Sequence, residues 1–180
     1  LLPRVSLITQ LDALLPDVPL PAATPPLRRL LELEPLVAKL IEQEQDLNTG
    51  SASFDLARSL AQLMDEMQGE GVQADDILRL DVTDQSGHWA RAQKFFGIAQ
   101  DYVTTTSEAP DPEARQRATV LRLATHWATD PPRNPILVAG STGSRGTTQL
   151  LMEAVARLPQ GALILPGFDF DTPHAVWDQL

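Results

Sequence analysis

The sequence predicts a mainly α-helical protein that ends in a small α/β part. Three observations carry this expectation. Apolar residues recur at helical spacing in successive blocks up to about residue 130. Beyond Pro135 two short apolar, partly β-branched runs flank a further helical block, the pattern of strand, helix and strand. The chain has 180 residues and 43% apolar content, enough for a buried core, which excludes disorder throughout. The expected organisation is a proline-rich extended arm over 1–24, a helical subdomain over 25–130 and a βαβ portion over 131–180.

The arm follows from Pro3, Pro16, Pro19 and Pro21, with Pro25 and Pro26 behind them, because each proline removes a backbone donor and fixes φ. Thr24-Pro25-Pro26 is a helix start, since proline is tolerated in the first turn. Leu27, Leu30, Leu31, Val37, Leu40 and Ile41 continue it, and Pro35 predicts a kink or a division into two short helices. A second helix begins at Ser53, its expected cap, carries Leu56, Leu60, Leu63, Met64 and Met67 inward, and stops at Gly69 or Gly71. A short helical turn from Asp75 to Leu80 precedes a long helix from about Ser86 with Trp89, Phe96, Ala99 and Val103 on one side. Asp111 caps the next, with Pro112 first and Ala114, Ala118, Leu121, Ala124 and Trp127 inward, until Asp130, Pro131 and Pro132 end it. Ile136 to Val138 and Ala162 to Leu165 are the strands, parallel because a helix from Thr147 to Leu158 joins them. Thr172-Pro173 starts a last helix.

Composition removes several chemistries. With no cysteine there is no disulfide, thiolate metal site or cysteine nucleophile. The three histidines, His88, His126 and His174, are too dispersed to suggest a metal centre. A net charge of −10 argues against gripping nucleic acid by global charge, although a local basic patch is compatible with it. No apolar run is long enough to span a bilayer and no basic-then-apolar leader is present, so no membrane association and a cytoplasmic location are expected. The chain opens at Leu1 rather than Met and is read as a fragment or processed product.

Gly140, Ser141, Thr142, Gly143 and Ser144, followed by Arg145 and Gly146, lie between a strand and a helix, where backbone amides and the helix dipole hold phosphate. The spacing fits neither a Walker A loop, for want of the lysine, nor the dinucleotide fingerprint. Phosphate binding therefore competes with a plain turn whose hydroxyls cap the helix. Asp169 and Asp171 follow the second strand, a place for magnesium-binding carboxylates, or for the start of the last helix. Asp65, Glu66 and Glu70 are read as a solvated acidic face, and His88 with Trp89 and His126 with Trp127 as packed helix neighbours. From Glu42 to Asp84 there are eleven acids against two bases; from Glu113 to Arg145 there are two acids against five bases. Those five, Arg115, Arg117, Arg122, Arg133 and Arg145, are candidate DNA contacts or scattered solubilising charges.

The segments LLPRV, LAQLMDEMQGEGV, HWARAQKFFGIAQDYV and PPRNPILVAGSTGSRGTTQLLMEAVARLPQGALILPGFDFD, closed by WDQL, occur in this order over nearly the whole chain. They resemble the amino-terminal region of the alphaproteobacterial AddB family, subunits of the AddAB helicase–nucleases of double-strand-break repair. The resemblance implies a fragment of a motor-like half, with an inserted helical subdomain followed by the βαβ unit of a superfamily 1 helicase-like, RecA-like core. The strand Ile136 to Ala139 would then hold the place of a Walker B strand. A working Walker B strand ends in acids that hold magnesium, and this chain has Ala139-Gly140-Ser141-Thr142 there.

That departure implies a motor-like domain without ATPase activity, acting as a DNA-contacting scaffold for recombination. In related complexes this half is implicated in scanning single strands for recombination hotspots. The implied partners are an AddA-like helicase subunit and DNA. No cofactor is expected in this piece, ATP and magnesium being used by other regions of the complex, and the nuclease domain would lie beyond Leu180. Two alternatives stay open, a nucleotide- or phosphate-binding α/β domain built on Gly140 to Gly146, and a pure protein-interaction domain.

Overall fold

A computed structural model describes residues 3–15, 20–43, 53–73, 76–77, 79, 93, 95–99, 102, 109–167 and 171–177. The described chain is mostly helical with a small two-stranded parallel sheet. A 3-10 turn at Asp12–Leu14 is followed by helices α1 (Pro26–Gln43), α2 (Ser53–Glu70) and α3 (Pro112–Thr129), strand β1 (Ile136–Ala139), helix α4 (Gly146–Ala156), strand β2 (Gly161–Ile164) and the short helix α5 (His174–Trp177). Residues 95–99 and 102 are helical and lie between α2 and α3 in sequence.

Helix α1 is continuous through Pro35, so the division into two short helices does not occur. Proline at 35 forgoes the bond to the carbonyl of Leu31, and both residues are exposed, so water takes that carbonyl at little cost. The buried stripe of α1 is Arg29, Leu33 and Val37, whereas Leu27 and Leu31 face outward at 65% and 59% exposure. Thr24 bonds across to the segment ahead of α3. Its N–H and hydroxyl donate to the carbonyls of Pro110 and Ala109, at 2.9 and 3.2 Å, and join the entry of α1 to that of α3.

Helix α2 ends as expected at its glycines. The N–H of Val72 donates to Met67 and that of Gly71 to Gln68 around a left-handed Gly71 at φ 77°, a Schellman-type stop that only glycine adopts without strain. Ala57, Leu60 and Met64 face the core; Leu63 does not. The hydroxyl of Ser53, the first residue of α2, donates to Glu34 of α1.

Helix α3 keeps its expected ends and buries Trp127 as expected, with Ala124 packed against the same cluster, but the rest of its buried face is Thr119, Val120 and Leu123. Ala118 and Leu121 are exposed, because Val120, Leu123 and Trp127 at i, i+3 and i+7 bury more apolar surface than the alanine side. Of the elements expected between α2 and α3, Asp76 and Ile77 are helical and Phe96 and Ala99 are buried; Trp89 and Val103 lie outside the described residues.

The strands pair in parallel with Ile136 opposite Gly161 and Ala139 opposite Ile164. Strand β2 starts at Gly161, one residue ahead of the expected start, and leaves Leu165 outside. Helix α4 covers one face of this sheet. Two apolar clusters result. Leu33, Val37, Ala57, Leu60, Met64, Ala99 and Tyr102 form the α1–α2 core, while Val120, Leu123, Trp127, Leu151, Val155 and Leu158, with Leu11 from the arm, join α3 to the α/β unit.

Candidate functional site

The glycine-rich turn lies at the carboxyl end of β1, as its sequence position requires. Gly140 and Gly143 have φ of 80° and 72°, and the N–H of Gly140 donates to Ile164. The hydroxyl of Ser141 accepts from the N–H of Gly143 at 3.2 Å, while Thr142 and Ser144 are exposed. None of these hydroxyls caps α4, contrary to expectation. The carboxylate of Glu70 does it instead, reaching from the end of α2 to accept from the N–H of Gly146 at 2.9 Å. The hydroxyl of Thr147 donates to the carbonyl of Gly69 at 2.8 Å. A carboxylate of the chain itself thus stands where a bound phosphate would meet the helix N-terminus.

Beside this junction lies a cleft of about 780 Å3, bounded by Ile8 and Thr9 of the arm, Gln62, Asp65, Glu66, Gly69 and Glu70 of α2, Glu113 and Gln116 of α3, and Arg145, Thr147 and Thr148 at α4. Four carboxylates against one guanidinium give it an acidic character. The expected solvated acidic face is only partly that. Glu66 is exposed, but Asp65 pairs with Arg29 and Glu70 caps α4.

The five arginines do not gather into one surface. On α3, residues 115 and 122 share a side, and residue 117 is turned about 200° from 115 at 100° per residue. Arg115 is engaged within the chain, donating to Asp12 at 3.0 Å and to the carbonyls of Pro21 and Leu20 at 2.7 and 3.2 Å. Arg117 donates to the carbonyl of Gly69 at 2.9 Å and packs over Gly71. Arg122 is partly buried and Arg133 is exposed ahead of β1. Arg145 is exposed at the N-cap position of α4 and lines the cleft.

Arg29 is the polar centre of the helical half, and the sequence reading passed over it. Its residue is 3% exposed, its guanidinium donates to Asp65 and to the carbonyl of Ala61, and its Nε lies 3.3 Å from the buried carboxylate of Asp111. Asp111 holds the N-cap position of α3 without capping it, because its carboxylate turns to Arg29 and to Gln68, which donates at 2.8 Å. A signal existed: Arg29 stands at i−4 and i−8 from Leu33 and Val37, on the apolar stripe. A cation there needs buried acids, but their position depends on how α2 and α3 pack.

A second polar group lies on the same helix. The Tyr102 hydroxyl donates to Glu32 at 2.8 Å and Arg28 donates to its other oxygen at 2.7 Å. Hydrogen bonds from Arg28 and Tyr102 hold the Glu32 carboxyl below its ordinary value, while burial, and then Glu32, push the Tyr102 phenol up.

His126 of α3 lies 3.9 Å from Asp130, the residue that follows the helix, and His174 begins α5. His88 and Asp169 lie outside the described residues. Among the described residues no group of three or more His, Cys, Asp or Glu side chains is placed to hold a metal, and no helix is long and apolar enough to cross a membrane. No family model, curated protein or solved structure matches the chain.

Proposed function

We propose that the chain is a non-catalytic piece of an AddB-type subunit of a double-strand-break repair helicase–nuclease, serving as a scaffold within a larger α/β core. Beyond the resemblance of its ordered segments, one observation carries the reading. The outer face of the sheet, Leu137, Ala139, Ala162 and Ile164, is apolar and exposed, with Leu137 at 61% and Ile164 at 57%. Parallel strands with apolar residues on both faces belong to sheets covered on both sides and continued by neighbours. A portion of a RecA-like core has that character. The absence of acids at the end of β1, together with Glu70 at the N-terminus of α4, supports a role without nucleotide hydrolysis at this turn.

Purification of the tagged native gene product from its source organism, with mass spectrometry of its length and companions, tests this. A long chain with a carboxyl-terminal nuclease domain, arriving with a large helicase, is the expected result. A short, unaccompanied protein overturns it.

A second reading, a protein-interaction module that never touches DNA, is favoured by the engagement of Arg115 and Arg117 within the chain. Affinity for single-stranded DNA that falls with salt, in the intact complex, supports the DNA-contacting scaffold, because each phosphate contact releases counterions. Absence of such binding supports the interaction module. Thermal stabilisation by nucleotide with magnesium is the result that would return the Gly140 turn to consideration as a ligand site.

A further inference from the structure

We propose that residues 8–15 form a releasable strap, seated by Leu11 with Ile8, Leu14 and Leu15 beside it and clasped by Arg115, that closes one wall of the acidic cleft. The strap is held to the body by side chains: Ile8, Leu11, Leu14 and Leu15 pack on its apolar cluster, and Asp12 pairs with Arg115. Among the described residues its backbone hydrogen bonds are local, Gln10 to Leu7, Leu14 to Leu11 and Leu15 to Asp12, so opening it breaks no helix or sheet ladder. Leu11 is its most buried side chain, 8% exposed in the cluster of Val120, Leu123 and Trp127, with Ile8, Leu14 and Leu15 partly buried against the same cluster, while Val5 and Leu7 ahead of it are 88% and 65% exposed.

The clasp is one side chain on a rigid helix. Arg115 takes the carboxylate of Asp12 with one part of its guanidinium and the carbonyls of Leu20 and Pro21 with the rest, so a single residue of α3 gathers the segment from both sides. The side chains of Arg115 and Asp12 are 19% and 38% exposed, open enough for salt and water to compete. Ile8 and Thr9 line the cleft together with Glu113 and Gln116. When the strap leaves, that wall goes with it, and Arg115 becomes accessible. This is the behaviour of a low-stability local unit whose opening does not require global unfolding.

The lack of cysteine allows a direct test by thiol labelling of the full 180-residue chain. A Leu11→Cys variant reports the strap, and Ala154→Cys, in α4 of the same apolar cluster, reports opening of the core. With excess disulfide reagent in native buffer, the Leu11→Cys thiol should react at least tenfold faster than the Ala154→Cys thiol. Adding Asp12→Asn should speed the former by roughly five- to tenfold, the effect of losing a charge-assisted pair, and leave the latter unchanged. Salt at 0.5 M should reproduce that acceleration when Asp12 is present and not when it is replaced. Equal rates for the two thiols overturn the proposal, since the arm then opens only with the core. So does a Leu11→Cys rate indifferent to Asp12→Asn, which would leave Arg115 without the role of clasp.

Discussion

A carboxylate oxygen of Glu70 stands 2.9 Å from the backbone N–H of Gly146, so the end of α2 meets the beginning of α4. The two helix termini are complementary. The negative end of α2 offers the Gly69 carbonyl to Arg117 and Thr147, and the positive end of α4 receives a negative charge.

Replacing Glu70 tests that junction. Glu70 is exposed, so Glu70→Gln is expected to lower the free energy of unfolding by about 0.5–1 kcal/mol at low ionic strength. The deficit should shrink in 1 M salt. Urea denaturation at two salt concentrations measures it; a salt-independent loss would point to packing rather than charge.

Arg29 should be far more sensitive. Arg29→Ala leaves the carboxylate of Asp111, 4% exposed, buried without its cation, at an expected cost of about 3–5 kcal/mol. Combining Arg29→Met with Asp111→Asn removes both charges and restores volume, so the double variant should be markedly more stable than Arg29→Ala. Chemical denaturation of the three chains decides this, and equal losses would show that packing alone matters at this position.

Two titrations read the Glu32–Tyr102 pair. Glu32 has a folded value depressed below its ordinary 4.5, so its stabilisation is present above that pH and lost as pH falls through the folded value. The stability gap between the native chain and Glu32→Gln should therefore be open at pH 7 and close in acid. Tyr102 has a folded value raised above its ordinary 10.0, so its contribution is present below pH 10 and lost as pH rises beyond it. It is the single tyrosine of the chain, and absorbance near 295 nm should show no phenolate at pH 10 until the chain unfolds.

Two glycines should respond with opposite sign to alanine. At Gly161 a Cβ atom would lie 1.8 Å from the carbonyl oxygen of Val155, a backbone atom, so Gly161→Ala must displace the start of β2 from α4. The expected loss is about 3 kcal/mol, at the upper end of overpacking costs. At helical Gly97 nothing lies within 4 Å of an added Cβ, and Gly97→Ala is expected to stabilise by about 0.5–1 kcal/mol. Melting temperatures of the two variants, moving apart, are the check.

The local elements were readable because their signals are local. Asp111-Pro112 and Pro131 bound α3, Gly71 stops α2, and Gly140 ends the first strand, each through the backbone preference of that residue. The buried faces were less readable. On α3 the spacing points Ala118 and Leu121 inward, and the position of α4 and Leu11 selects Val120 and Leu123 instead. The candidate arginines looked alike in sequence, and the structure gives them different surroundings, because Asp12 and Leu20 lie far from Arg115 along the chain. Glu70 was legible as an acid at a helix end, but its target, Gly146, belongs to another part of the chain.

The distance along the chain between the arm and its seat also governs how the protein is made. Asp12 and Arg115 are 103 residues apart, so at about 5–20 residues per second roughly 5–20 s of translation separate the two. Throughout that interval Leu11 is already part of the nascent chain and its seat on α3 and α4 has not yet been synthesised. Its neighbours Pro16, Pro19 and Pro21 cannot donate to a β ladder, which keeps this nascent stretch from pairing with other emerging chains while it waits.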